Sequence, residues 1–183
     1  MLTLFWKSIK RDKEAISLIT PKHYLKDVQT IHYKELKRKG IQNLVFDIDN
    51  TILPVNKIEV TKELKDFFME LKKNFTICLL SNNTKQRVKP VAEKLQVPAV
   101  WKANKPSRDA YNKLKQKITI TNNNTAMIGD QMLSDIVFGN KYKLYSILVE
   151  PVKKKYDIKT GTSRILQNFL MKRKKIIKRY HYY

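Results

Sequence analysis

The stretch Leu44-Val45-Phe46-Asp47-Ile48-Asp49-Asn50-Thr51 constrains this chain more than any other. An apolar run, read as a buried strand over 44–48, meets two aspartates separated by one residue. Alternate side chains of a strand share a face, so the two carboxylates would crowd one another if the strand simply continued. The chain must turn, and the turn lets one side chain and one backbone carbonyl aim at a common point. Two carboxylates at the carboxyl end of a buried parallel strand sit where open α/β sheets bind ligands. The plainer alternative is an Asx-turn that only ends the strand, and three later stretches weigh against it.

From Asn43 onward the chain alternates strand and helix patterns. Strands are predicted at 44–48, 75–80, 99–101, 125–128 and 145–149. Thr61 and Thr84 are credible N-caps for helices reaching about Lys73 and Leu95, a third helix is predicted from about Ser107 to Lys117, and a further helix is expected near 133–139. The apolar positions Leu64, Phe67, Phe68 and Leu71, and then Val88, Val91, Ala92 and Leu95, follow the helical period. Strands alternating with helices of this length predict βαβ units and a parallel sheet with helices on both faces. Residues 1–42 read as a basic arm packed on the core, broken by Pro21, with a short helix at 33–39 ended by Gly40. Residues 43–151 read as the main domain. Residues 152–183 carry eleven Lys or Arg against the single acid Asp157 and read as a basic amphipathic extension.

A formal net charge of +22 over 183 residues predicts attraction to polyanions: nucleic acid, an anionic membrane surface or phosphorylated substrates. The abundance of Lys, Asn and Ile also resembles the product of an AT-rich genome, which weakens inference from charge alone. One cysteine, Cys78, excludes a disulfide framework and fits a reducing interior. No apolar stretch has the length of a membrane span, and the opening residues lack the pattern of a signal peptide. The expected location is cytoplasmic, with a peripheral place on the inner membrane face as an extension of that reading.

Four clusters fall at strand ends: Asp47 and Asp49 with Thr51, Ser81-Asn82-Asn83, Lys105-Pro106, and Gly129-Asp130 through Ser134-Asp135. In a parallel sheet they converge on one crevice. Asp47, Asp49, Asp130 and Asp135 would repel unless a cation joins them, and all-oxygen ligation with room for water suits Mg²⁺. A metal-anchored carboxylate can attack phosphorus and form an aspartyl-phosphate. The second aspartate can protonate the leaving oxygen and then activate water. The Ser81 hydroxyl, the backbone N–H groups at Ser81–Asn82 and the Lys105 ammonium would hold phosphoryl oxygens.

This constellation resembles the haloacid dehalogenase (HAD) superfamily of phosphohydrolases, with Asp47-Ile-Asp49-Asn-Thr51, Ser81, Lys105 and Gly129-Asp130-Gln-Met-Leu-Ser-Asp135 as its four motifs in order. The resemblance implies Asp47 as nucleophile and Asp49 as general acid/base. It implies Ser81 and Lys105 as phosphate ligands, with Asn82 beside them and Thr51 supporting the turn. Asp47, the Asp49 backbone carbonyl and Asp130 would ligate Mg²⁺, and Asp135 would be a ligand or a support. It also implies a three-layer α/β/α Rossmann-like fold with five parallel strands in the order 5-4-1-2-3.

The segments Thr20-Pro21, Lys37 to Ile41, Phe46 to Thr51, Ser81 to Asn83, Lys105-Pro106, Gly129 to Gln131, Gly139-Asn140 and Ile147 to Pro151 look like the YqeG family of HAD type IIIA phosphatases. Mitochondrial phosphatidylglycerophosphate phosphatases are similar to that family. Lys143 stands where the family is expected to have a helix-terminating glycine. The gaps between motifs hold single helices and strands, so no cap domain fits, and an open site suits a phosphate on a large body. The resemblance thus implies a Mg²⁺-dependent phosphatase of phosphatidylglycerophosphate or a similar phospholipid, meeting the membrane through the basic C-terminal segment. The alternatives are a phosphatase of nucleic acid or a soluble metabolite, and a non-catalytic RNA- or ribosome-associated protein on the same scaffold. Tyr180, Tyr182 and Tyr183 could stack on bases, but the chain has no nucleic-acid-binding signature.

Overall fold

A computed structural model describes residues 13–55, 57–121 and 123–152. In chain order these form α1 (Lys13–Ile19), β1 (His23–Leu25), a 3₁₀ turn (Val28–Thr30), α2 (Tyr33–Arg38), β2 (Asn43–Phe46), α3 (Lys62–Lys72) and β3 (Thr76–Leu80). They continue through α4 (Lys85–Leu95), β4 (Ala99–Val100), α5 (Arg108–Lys115), β5 (Thr125–Gly129), a π-helical turn (Met132–Ile136), α6 (Val137–Lys141) and β6 (Tyr145–Val149).

All strand pairings are parallel, and the sheet runs β1-β6-β5-β2-β3-β4. The central strands are apolar on both sides, as a sheet covered on both faces requires. Leu44 and Phe46 of β2, Ile77 and Leu79 of β3, and Ile147 and Val149 of β6 face one core, completed by Leu36, Phe68, Leu71, Val88 and Leu95 of α2, α3 and α4. The alternate residues Val45, Cys78, Leu80 and Met127 face the other, with Ala110 and Leu114 of α5 and Phe138 of α6. Tyr24, Leu148, Met132 and Ile136 extend that second layer toward α1, where Ile19 joins them. Two strand-period faces against helix-period stripes give the three layers.

The helix starts obey capping chemistry. Thr61 accepts a hydrogen bond from Leu64 N at 3.3 Å, and Ser107 from Ala110 N at 3.1 Å. Thr84 holds the cap position of α4 without a side-chain bond.

The sheet has six strands where five were expected. The extra strand is β1, whose His23, Tyr24 and Leu25 pair with Ile147, Leu148 and Val149. Residues 13–42 are therefore woven into the sheet edge. Asn140 on α6 binds the same segment, donating through Nδ2 to the carbonyls of Ser17, Leu18 and Thr20 at 3.0, 2.9 and 2.8 Å. Lys143 adopts φ 56° after α6, the left-handed conformation in which a glycine is unstrained and a side chain costs roughly 1–2 kcal/mol. The expected turn thus forms with a lysine in the glycine place.

Candidate active site

The turn after β2 separates the two aspartates. Asp47 N still bonds to Ile128 O at 2.9 Å, continuing the ladder, and then the Ile48 carbonyl accepts from Thr51, Ile52 and Leu53 N at 3.2, 3.1 and 3.1 Å. Asn50 takes φ 62° in that turn, a conformation that short polar side chains tolerate. Asp47, Asp49, Ser81, Asn82, Lys105 and Ser134 line a cleft of about 460 Å³ at the carboxyl end of the sheet.

Lys105 organises the buried side of this cleft. Its ammonium lies 2.8 Å from Asp47 Oδ1 and 2.7 Å from Asp135 Oδ1, and it donates to Leu80 O at 2.6 Å. An ammonium has three donors, so each is used. Asp135 is held from every side: Oδ1 also accepts from Ser134 Oγ at 3.1 Å, and Oδ2 accepts from Gln131 N at 3.0 Å. The π-helical turn makes this possible, because Asp135 N and Ile136 N both reach Gln131 O, at 2.9 and 3.3 Å. That widened turn replaces the start of the helix expected near 133–139, and such turns recur at functional sites. Gly129 packs directly against Asp135; a Cβ there would overlap the carboxylate.

On the other side of Asp47, the Thr51 hydroxyl reaches Asp47 Oδ2 at 3.2 Å or Asp130 Oδ1 at 3.3 Å. Among the described residues, Asp47, Asp130 and Asp135 each offer an oxygen within 4.8 Å of the others. All three are buried, and two of them, Asp47 and Asp135, share the Lys105 ammonium. Burial pushes the Asp47 carboxyl up to about 8; the Lys105 ammonium pulls it down, and the Asp135 and Asp130 charges push it up. Burial works to lower the Lys105 ammonium, but the carboxylates of Asp135 and Asp47 outweigh it and hold the group above its ordinary value. Excess buried negative charge of this kind fits a divalent cation. Asp47, Asp130 and Asp135 are the candidates to hold it, with Asp135 also engaged by Lys105, Ser134 and Gln131 N.

Asp49 faces a different set of groups. Its Oδ1 receives Arg87 Nε and Nη2, both at 2.9 Å, and its Oδ2 receives Asn83 Nδ2 at 3.1 Å. Arg87 Nη2 also donates to Pro54 O at 3.1 Å. Neither Arg87 nor Asn83 was among the residues given a role from sequence. One signal existed: a cation in the first turn of a helix opposes the helix dipole and calls for a partner, but the surrounding lysines of α4 masked it.

Ser81 is buried, and its Oγ accepts from Asn83 N at 3.1 Å. The Asn82 side chain pairs with the Lys105 backbone, accepting from Lys105 N at 2.7 Å and donating to Lys105 O at 3.3 Å. Asn82 thus ties the loop after β3 to the Lys105 loop. The structure brings all eight residues expected at the site to one end of the sheet, with Lys105 and Asn82 engaged by protein groups.

Such a site invites comparison with known proteins. Residues 7–153 match the family described as mitochondrial PGP phosphatase. The Bacillus subtilis protein named "Probable phosphatase YqeG" is 32% identical over 133 residues, 72% of this chain and 77% of its own. The chloroplastic/mitochondrial phosphatidylglycerophosphate phosphatase 1 of Arabidopsis thaliana is 24% identical over 146 residues, 74% of this chain and 42% of its own. The chloroplastic enzyme of Chlamydomonas reinhardtii is 27% identical, over 54% of its length. This chain spans about half the length of those two relatives. Among solved structures, the HAD-hydrolase YfnB of Bacillus subtilis, bound to magnesium, superposes with a TM-score of 0.52 at 13% identity, covering 66% of this chain and 92% of that one. That likeness concerns the fold. Motifs, family match and fold agree, and the chain belongs to the mitochondrial PGP phosphatase family, as a HAD-type phosphatase related to YqeG.

Proposed function

We propose that this phosphatase hydrolyses a phosphomonoester through an aspartyl-phosphate on Asp47, uses Mg²⁺, and acts on phosphatidylglycerophosphate or a similar phospholipid. One observation carries the reading: a buried carboxylate, Asp47, lines the cleft with its negative charge only partly balanced by Lys105.

In this reading an oxygen of Asp47 attacks phosphorus, and the bond from phosphorus to the ester oxygen breaks. Asp49 gives its proton to the departing alcohol. Asp49 then takes a proton from the water that attacks the phosphoryl-aspartate, releasing inorganic phosphate and restoring Asp47. Ser81, the N–H groups of its loop and Lys105 receive the phosphoryl oxygens; Lys105 would exchange a carboxylate contact for a phosphate one. Asp47, Asp130 and the Asp49 carbonyl would hold the metal, with Asp135 fixing Lys105. The ion supplies positive charge that offsets repulsion between nucleophile and phosphate.

The substrate class is supported by two relatives named for phosphatidylglycerophosphate and by the cleft's position, with no further folded unit among the described residues inserted between the motifs. The catalytic unit spans 43–151. Among the described residues no helix is long and apolar enough to cross a membrane, so a lipid substrate would be met at the membrane surface. The segment assigned to that contact, 152–183, lies almost wholly outside the described residues.

The test is a substrate panel of phosphatidylglycerophosphate in vesicles, sugar phosphates and 5′-phosphorylated oligonucleotides, each with Mg²⁺ or a chelator. Asp47→Asn should lower turnover of every active substrate by at least about 100-fold, the low end of what a catalytic group supplies. Unchanged turnover would remove Asp47 as nucleophile, and preference for a soluble phosphate would remove the lipid assignment.

A further inference from the structure

The two oxygens of Asp49 are held unequally. Oδ1 accepts a hydrogen bond from Arg87 Nε at 2.9 Å, and Nη2 of the same guanidinium makes an ion-pair contact with it at 2.9 Å. Oδ2 takes one neutral donor, Asn83 Nδ2, at 3.1 Å. Arg87 is itself 8% exposed and does not line the cleft, whereas Asp49 and Asn83 do. Its remaining contact is with Pro54 O at 3.1 Å, at the far end of the turn that carries Asp49.

A carboxylate oxygen that accepts a charge-assisted hydrogen bond and lies against a full guanidinium charge is the less favourable of the two for a proton. A guanidinium cannot surrender one. The oxygen bonded to a neutral amide keeps a lone pair for that purpose. Without Arg87 the Asp49 carboxyl could rotate and exchange its two oxygens; with it, the orientation is set from α4. Burying an arginine is costly unless its charge is paired, so the ion pair fixes Arg87 as firmly as it fixes Asp49.

We propose that Arg87 is a positioning residue for proton transfer: it anchors Oδ1 of Asp49, so that Oδ2 is the oxygen that delivers the proton to the leaving group. This rests on Asp49 being the acid/base of the proposed reaction. As the bond from phosphorus to the ester oxygen breaks, the Oδ2–H proton passes to the alcohol and Asp49 is left a carboxylate. In the second half-reaction Oδ2 takes back one proton from water. Asn83 keeps its hydrogen bond to Oδ2 throughout and marks the side from which the proton moves.

The experiment compares 4-nitrophenyl phosphate, whose leaving group departs without a proton, with phenyl phosphate, whose leaving group needs one. Steady-state kinetics are measured on the full chain with Mg²⁺ for wild type, Arg87→Gln, Arg87→Lys and Asp49→Asn. A misplaced acid should cost Arg87→Gln at least about tenfold more on phenyl than on 4-nitrophenyl phosphate, within the range that acid–base catalysis supplies. Arg87→Lys should return part of the way to the wild-type ratio, since an ammonium can restore a charged donor to Oδ1 but not the fork that also reaches Pro54 O. A merely structural role would lower both substrates together. If Asp49→Asn shows the selective loss while both folded Arg87 variants keep the wild-type ratio, the proposal is overturned. If Asp49→Asn itself shows no selectivity, the acid assignment fails and the Arg87 role falls with it. Should Arg87→Gln not fold, the ratio for Arg87→Lys decides: a wild-type value overturns the proposal.

Discussion

The central strands carry buried polar groups at both ends, and the two ends solve the problem differently. At the amino end, Asn43 Nδ2 donates to Thr119 O at 2.8 Å and Thr125 Oγ1 at 3.0 Å, and Thr125 Oγ1 donates to Asn124 Oδ1 at 2.7 Å. All these groups are neutral. They border a depression of about 780 Å³ rimmed by Lys37, Lys72, Lys115 and Lys117, larger than the cleft at the other end. At the carboxyl end the buried groups include Asp47, Asp130, Asp135 and Lys105, three acids about one ammonium, while the buried Arg87 is taken up by Asp49. Size and polarity therefore do not mark the functional end. Uncompensated charge does, because a fold retains buried carboxylates in excess of their partners only where something else is to be bound.

This contrast can be broken most forcefully at Lys105. Lys105→Met leaves Asp47 and Asp135 without their cation and should cost about 3–5 kcal/mol of stability in chelator, the usual result of removing one partner of a buried pair. Urea denaturation measures it, and a loss below about 1 kcal/mol would mean that the carboxylates never depended on the lysine.

Metal comes next. Mg²⁺ at about a hundred times its dissociation constant should stabilise the wild type by about 2.7 kcal/mol. Thermal melts should show that shift vanish in Asp130→Asn and survive in Asn43→Ala. Survival in Asp130→Asn would take Asp130 out of the ligand set.

Asn43→Ala tests the neutral end directly. It removes the shorter of two hydrogen bonds to the Thr119 carbonyl, which keeps Asn124 Nδ2 at 3.4 Å, and disturbs the Thr125 hydroxyl, at about 1 kcal/mol. Turnover of 4-nitrophenyl phosphate at a temperature well below the melt should stay at the wild-type value; a fall in kcat would show that the two ends are coupled.

The subtlest difference is in pH. Asp47 in the folded chain binds its proton up to about 8, whereas an unfolded aspartate loses it near 4. Between those values the folded state holds more protons, so this group's contribution to stability falls as pH rises. In chelator, wild type should lose stability relative to Asp47→Asn from pH 4 to 8, as chemical denaturation across that range will show. A constant difference would mean that Lys105 keeps Asp47 ionised throughout.

Elements with a clear period were legible in the residues alone. The strand expected at 145–149 and the one observed coincide because each residue sits on a covered face. Thr61 announced its helix because a hydroxyl bonding to a backbone donor three residues later is a local event. β1 was not legible: three residues carry no period, and its partner lies more than 120 positions away in the chain. At the site, the acidic and lysine positions were marked by strand-end clusters and by their resemblance to the HAD motifs, whereas the partners of each side chain were not legible. That Lys105 bonds to two aspartates, or that Asp49 belongs to Arg87, follows from side chains that meet only after four loops converge.

One consequence concerns which mutations this enzyme can survive. Gly129 lies on β5, contributes no functional group and leaves room for the carboxylate of Asp135. A single methyl at 129 would displace that carboxylate, release Lys105 and shift the charge balance at Asp47, all without altering a residue that the chemistry names. Asp47 is thus held in register by an empty volume, and a genetic lesion at 129 would resemble one at Asp47 itself.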